Sequence, residues 1–170
     1  MPVVAEEQGA DRSLGRWMTI PRTLCFITRG DDVLLMKRAQ TARVFPGRYN
    51  GIGGHIERGE DPYSSALREI REETGLALKR VTLRGLSHID AGQDVGIMLF
   101  VFTGEAPTRE VVQSVEGSLH WVPIHSVADL PIVEDLPMLL PRLFGPTAQE
   151  SLFFAQVSYD GGGKIVVSFG

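Results

Sequence analysis

Hydrophobic and polar positions alternate over short stretches along most of this chain, which predicts many strands and one long helix. Residues 18–28 are rich in β-branched and aromatic side chains and read as a strand. Pro21 argues for an edge or a bulge there, because its nitrogen cannot donate to a ladder. Arg29-Gly30-Asp31-Asp32 is a turn, and 33–37 is the returning strand of a hairpin. Residues 39–48 are a polar loop carrying Phe45-Pro46-Gly47, and 49–54 are a short strand with glycines at 51, 53 and 54. Residues 81–90 and 96–103 read as a long hairpin closed by Ala91-Gly92-Gln93-Asp94. Residues 108–118 form a polar loop in which Val111-Val112 could begin a strand, 119–124 a strand, and 125–130 one helical turn. A short helix over 134–144 is expected to be interrupted or kinked at Pro137 and Pro141. The chain closes on a hairpin, 152–159 and 164–169, around Asp160-Gly161-Gly162-Gly163.

The long helix is predicted over 62–74. Asp61 can accept from the free amides of the first turn as N-cap, Pro62 fits the first helical position, and Gly75 fits the left-handed residue after the last turn. At about 100° per residue two faces separate. Tyr63, Ala66, Leu67, Ile70 and Thr74 form a stripe suited to packing on a sheet. Glu69, Glu72 and Glu73 form another, and like charges three and four residues apart repel. Either Arg68 and Arg71 salt-bridge a solvated acidic face, or a hard divalent cation, Mg²⁺ or Mn²⁺, offsets the charge.

A chain of 170 residues suits one domain with a sizeable core, so the expected organisation is a flexible lead over 1–16 and a single domain over 17–170. The formal net charge of −4 leaves no basic footprint for a nucleic-acid polymer. Cys25, the single cysteine, sits in an apolar run and reads as a buried, inert thiol. No signal peptide or membrane span is read from the sequence, so a cytoplasmic protein, monomer or homodimer, is the expectation.

Gly54, Glu60, Arg68, Glu69, Ile70, Glu72, Glu73, Gly75 and Leu76 reproduce, at matching spacings, every fixed position of the Nudix hydrolase signature, which this stretch therefore resembles. The resemblance implies an α/β/α sandwich around a central mixed β-sheet and metal-dependent hydrolysis of a nucleoside diphosphate linked to another group. By motif position, Glu69, Glu72, Glu73 and the carbonyl of Gly53 are the implied metal-holding set, and Glu69 matches the general base of some members. Gly54, Arg68 and Gly75 are implied to be structural, while Glu60 either reaches metal through water or pairs with Arg68. Glu116, ahead of Trp121-Val122-Pro123, lies where members bring a further acid from a distant loop; otherwise it is a solvated glutamate. His55, directly after Gly54, is placed near the phosphates.

The run 47–54 is most similar to the MutT-type oxidised-purine nucleoside triphosphate diphosphatases, which hydrolyse substrates such as 8-oxo-dGTP to the monophosphate and pyrophosphate. That resemblance implies base recognition by Asn50, Glu134 and Asp135. Ile132 and Val133 stand where the animal enzymes stack a Trp on the base, so Tyr49 or Phe45 is the candidate platform. The alternatives are a pyrophosphatase acting on ADP-ribose or another nucleoside diphosphate derivative, and a non-catalytic binding module.

Overall fold

The fold is described by a computed structural model covering residues 4, 7–10, 15–146, 148 and 151–170. Much of the expected lead, including 11–14, lies outside the described residues. In chain order the elements are β1 (Met18–Arg29), β2 (Asp32–Arg38), β3 (Tyr49–Asn50), α1 (Pro62–Thr74), β4 (Thr82–Ile89) and β5 (Val95–Glu105). There follow β6 (Gly117–Pro123), a 3-10 helix (Ile124–Asp129), α2 (Leu136–Phe144), β7 (Phe153–Tyr159) and β8 (Ile165–Phe169). The strands make one mixed sheet in the order β3-β2-β1-β5-β4-β7-β8, with β6 paired to β2. β1 runs parallel to β5 and β4 parallel to β7, while the hairpins are antiparallel.

Period-two alternation builds a core on each face of this sheet. Leu24 and Phe26 of β1 pack with Leu136, Leu139 and Leu143 of α2. Cys25 and Ile27, their neighbours in sequence, face the other way and pack with Ala66 and Ile70 of α1. The helices therefore sandwich the sheet, as expected. Each large side chain sealed in this way, such as Phe26, Ile27 or Ile70, adds roughly 1.5–3 kcal/mol. Burial pushes the Cys25 thiol well above its ordinary range, so it is an unreactive core residue. Among the described residues no helix is long and apolar enough to cross a membrane.

Several local expectations need correction. β1 is an interior strand with an unbroken register to β5 through Pro21, although Pro21 argued for an edge or a bulge. The proline is tolerated because β2 has already diverged there: β2 meets β1 only over residues 32–34 and pairs farther on with β3. The vacated side of β1 is filled by residues 51–56, which meet Pro21 only at its carbonyl, through the Ile56 amide at 3.2 Å. Groups of one strand residue point the same way, so the missing N–H faces that segment and costs β5 no rung.

Pro137 does not interrupt α2, because it falls in the first turn, where amides have no intrahelical partner. Pro141 does lie inside the helix. Val111 and Val112 start no strand; the Val112 amide instead donates to Thr74 O at 2.9 Å, beyond the end of α1. Tyr63 is 41 % exposed, and its expected place in the buried stripe of α1 is taken by Ser65 and Glu73.

The ends of α1 follow the local chemistry. Asp61 accepts from the Ser64 amide at 2.9 Å, and Gly75 adopts φ 75°, its amide donating to Arg71 O. Placing a Cβ at that dihedral costs about 1–2 kcal/mol. Gly75→Ala is therefore expected to lower the unfolding free energy by that amount, read as a shift of the urea midpoint without a change in slope.

Candidate active site

The site forms where β1 and β2 part and the glycine-rich segment between β3 and α1 enters the gap. Cys25 and Ile52 exchange backbone hydrogen bonds of 2.6 and 2.9 Å, and the Thr23 amide donates to Gly54 O at 2.9 Å. The approach is so close that a Cβ on Gly53 would lie 2.2 Å from Thr23 O, and one on Gly54 would lie 2.5 Å from Glu69 Oε1. Glycine at these two positions is thus required by the space available.

Arg68 ties α1 to this turn. Its Nε and Nη2 hold the two oxygens of Glu60 at 2.6 and 2.9 Å, and Nη1 holds Glu69 Oε1 at 2.9 Å and Glu72 Oε2 at 3.0 Å. Nη2 also donates to the carbonyl of His55 at 3.2 Å. The Arg68 side chain draws the Glu60 carboxyl down to about 2, so Glu60 stays ionised and paired. Glu72 points outward, its side chain 61 % exposed.

Glu73 lies inward, 8 % exposed, and accepts from the Gly53 amide at 3.3 Å. Burial above all, then the nearby charges of Glu116 and Glu69, pushes its carboxyl up to about 8. The Gly53 amide and Arg38 pull the other way. Glu69 is also raised, first by burial, with Arg68 opposing.

Glu116 reaches this group although the loop before it is long. β6 pairs with β2 in the register Arg38↔Gly117, so Glu116 arrives beside the end of β2. Its carbonyl accepts from the Ala39 amide at 3.1 Å and its carboxylate from Arg38 Nη1 at 2.8 Å. Arg38 and Arg22 are the basic side chains at this site that the sequence reading did not single out. The Lys37-Arg38 pair closing a strand before a polar loop was a signal for one of them; Arg22 had none, because only the sheet brings β1 here.

The positions expected to read a base also gather. The Tyr49 amide donates to Pro131 O and the Val133 amide to Tyr49 O, both at 3.0 Å, so Asn50 runs beside the approach to Glu134-Asp135. The Asn50 side chain accepts from the Gly51 amide at 2.8 Å. Asp135 is 8 % exposed, and burial raises its carboxyl, with Glu134 adding to the rise. Tyr159 lies within reach of both acids, which help raise its hydroxyl after burial does. Tyr49 packs edge-on to His120 and under Lys37 Nζ, whereas Phe45 sits half-exposed in the 39–48 loop at φ 51°. His55 is exposed beside Gly54, while His88 packs against Trp17.

Among the described residues no three His, Cys, Asp or Glu side chains close into a ready metal cage. Mg²⁺ needs none: it keeps several waters and takes one or two carboxylates together with substrate phosphates. A buried carboxyl crowded by two others and satisfied by one amide is a donor set that suits such a hard cation.

Without metal, Glu73 makes stability depend on pH. Between the ordinary carboxyl value of 4.5 and about 8, the folded state keeps a proton that the unfolded chain has released. Stability therefore falls as pH rises through that window. In chelator, the melting temperature is expected to decline from pH 5 to 8, and Glu73→Gln to flatten the decline, as measured by thermal melts across that range.

Comparison with known proteins agrees with this geometry. The NUDIX domain model matches residues 18–143. The uncharacterized Nudix hydrolase YvcI of Bacillus subtilis is 31 % identical over 115 residues, 65 % of this chain and 70 % of that protein. The NAD-capped RNA hydrolase NudC of Pseudomonas aeruginosa is 37 % identical over 65 residues, 38 % of this chain, which thus spans only 22 % of NudC. The crystal structure of a MutT protein from Bacillus halodurans superposes with a TM-score of 0.75 at 24 % identity, over 88 % of this chain and 97 % of that one, and so shares the fold. With the family model spanning most of the sheet and the whole of the acidic helix, the chain belongs to the Nudix hydrolase family.

Proposed function

We propose that this Nudix hydrolase cleaves a nucleoside triphosphate, an oxidised purine such as 8-oxo-dGTP in particular, to the monophosphate and pyrophosphate. The observation that carries the reading is the buried Glu73 carboxyl on the Gly53 amide, with Glu69 and Glu116 beside it. Glu69, Glu72, Glu73 and the carbonyl of Gly53 are the residues that would hold Mg²⁺ or Mn²⁺. When bound, the cation neutralises phosphoryl charge and makes a water more acidic.

The rest is the work of this chain. Arg68 fixes the glutamates, so that no carboxylate has to reorient during reaction. Glu69, raised by burial and held in place by the Arg68 guanidinium, accepts the proton of the attacking water. The water oxygen bonds to phosphorus, the anhydride P–O bond breaks, and pyrophosphate leaves with that bond's electrons. Glu116, held by Arg38, helps to orient the water. At the other end, the buried Asp135 carboxyl, raised by burial, would hydrogen-bond a purine edge, beside Asn50 and Glu134, with Tyr49 nearby.

A second reading keeps the machinery and changes the leaving group to that of ADP-ribose or another nucleoside diphosphate derivative. The similarity to NudC, which is named for a NAD-linked substrate, favours testing it.

A panel of oxidised and ordinary nucleoside triphosphates, ADP-ribose and dinucleotides with Mg²⁺ decides between them. Pyrophosphate release from the triphosphates supports the proposal; turnover of the diphosphate derivatives alone overturns it. Glu73→Gln is expected to lower turnover at least about 100-fold, with the melting temperature in Mg²⁺ near wild type. Asp135→Asn is expected to reduce the preference for oxidised over ordinary purines at least about 10-fold, and an unchanged ratio removes Asp135 from base recognition.

A further inference from the structure

The segment between β5 and β6 brings Glu116 to the site, and its course is fixed at four points. At its start the Ala106 amide donates to Thr28 O at 2.8 Å, and Arg29 Nη1 donates to Ala106 O at 2.7 Å. At Arg109 the carbonyl accepts from the indole Nε1–H of Trp121 at 3.0 Å. The Arg109 guanidinium lies over the same indole, 5.2 Å from the ring centre, and Nη2 pairs with Asp32. Farther on, the Val112 amide donates to Thr74 O at 2.9 Å, and the Val112 side chain lies so close to Gly75 that a Cβ there would meet it at 3.0 Å. The fourth point is Glu116 itself, on Ala39 and Arg38.

Sheet geometry sets the direction of this strap. Asp32 and Arg38 are an even number of residues apart on β2, so their side chains share a face, about 20 Å from one another. Trp121 pairs with Leu34 and packs in the core on that face. Arg109 is therefore gripped at one end of β2 and Glu116 at the other, with the end of α1 touched between them. The chain from one grip to the other is short and tied midway at Val112, so a shift of Arg109 is passed on to Glu116. A grip is needed, because Glu116 stands near Glu69 and Glu73, acids of its own sign, and repulsion favours withdrawal of the segment into solvent. An exposed ion pair such as Arg109–Asp32 adds little to global stability. Together with the indole it fixes one segment.

We infer that Arg109, clasped by Trp121 and Asp32, is a positioning residue that sets the placement of Glu116 from the far end of β2. The inference rests on the reading of Glu116 as an acid that orients the attacking water, and it adds a residue that touches neither substrate nor metal.

The test is a double-mutant cycle on the intact protein with Mg²⁺, using a nucleotide that it cleaves. Arg109→Gln is expected to lower kcat about 5- to 20-fold with KM within about twofold, as a misplaced water-orienting group would. In a Glu116→Gln background the same change is expected to alter kcat less than about twofold, because the group it positions is gone. Arg109→Lys, which keeps the charge for Asp32 and loses the planar stack, should recover part of kcat. Trp121→Phe, which keeps the ring and loses the indole donor, should lower kcat in the same way and serves if Arg109→Gln folds poorly. Amide exchange at Val112 is followed alongside and is expected to quicken at least about 10-fold in Arg109→Gln. Unchanged kcat in Arg109→Gln, or an equal fall in the Glu116→Gln background, overturns the inference. If the wild type cleaves none of the nucleotides, faster Val112 exchange in Arg109→Gln leaves the clasp standing and removes the functional reading, while unchanged exchange removes the clasp as well.

Discussion

Carboxylates from Glu60, Glu69 and Glu72 and the carbonyl of His55 all meet at the guanidinium of Arg68. These groups come from the segment before α1 and from two turns of the helix itself, so one side chain joins the glycine turn to the helix. It also permits the acidic face: like charges at helical spacing would otherwise repel, and the carboxylates would turn to solvent in different directions. A lysine could not replace it, because a point charge with three rotatable donors cannot span two separate pairs of oxygens in one plane.

With Glu69 and Glu72 held by that hub, Glu73 is the acid left without a cation. It is buried with Ile70 and Thr74 of the same helix, and among the described residues its hydrogen bond comes from the Gly53 amide. Glu116 is brought close by the pairing of β6 with β2 and adds a further negative charge. The protein compensates these charges only in part, through Arg38 on Glu116 and the Gly53 amide on Glu73.

Features fixed by neighbours in sequence were legible before the fold was known. The bounds of α1 follow from Asp61, Pro62 and Gly75, because caps act through hydrogen bonds and dihedrals within a few residues. The hairpins β4–β5 and β7–β8 follow from turn residues between alternating runs, although no local signal announces their parallel partners. Errors arose where a distant element took over. Tyr63 lost its place in the buried stripe because α1 packs on the sheet through Ser65, Ala66, Ile70 and Glu73. Pro21 was admitted to an interior strand because β2 diverges from β1 at that point.

The sequence by itself determined the acidic helix, its arginine, the glycines before it and the family they mark, since all of these depend on spacing along one segment. Only the tertiary structure decided that Glu73 is buried while Glu72 is exposed, that Glu116 and Arg38 bind each other 78 residues apart, and that Arg22 borders the same gap. The physical reason is that burial and charge proximity are properties of packed surfaces. Helical periodicity places three glutamates on one side of a cylinder, but the position of the sheet against that cylinder selects which of them loses its water.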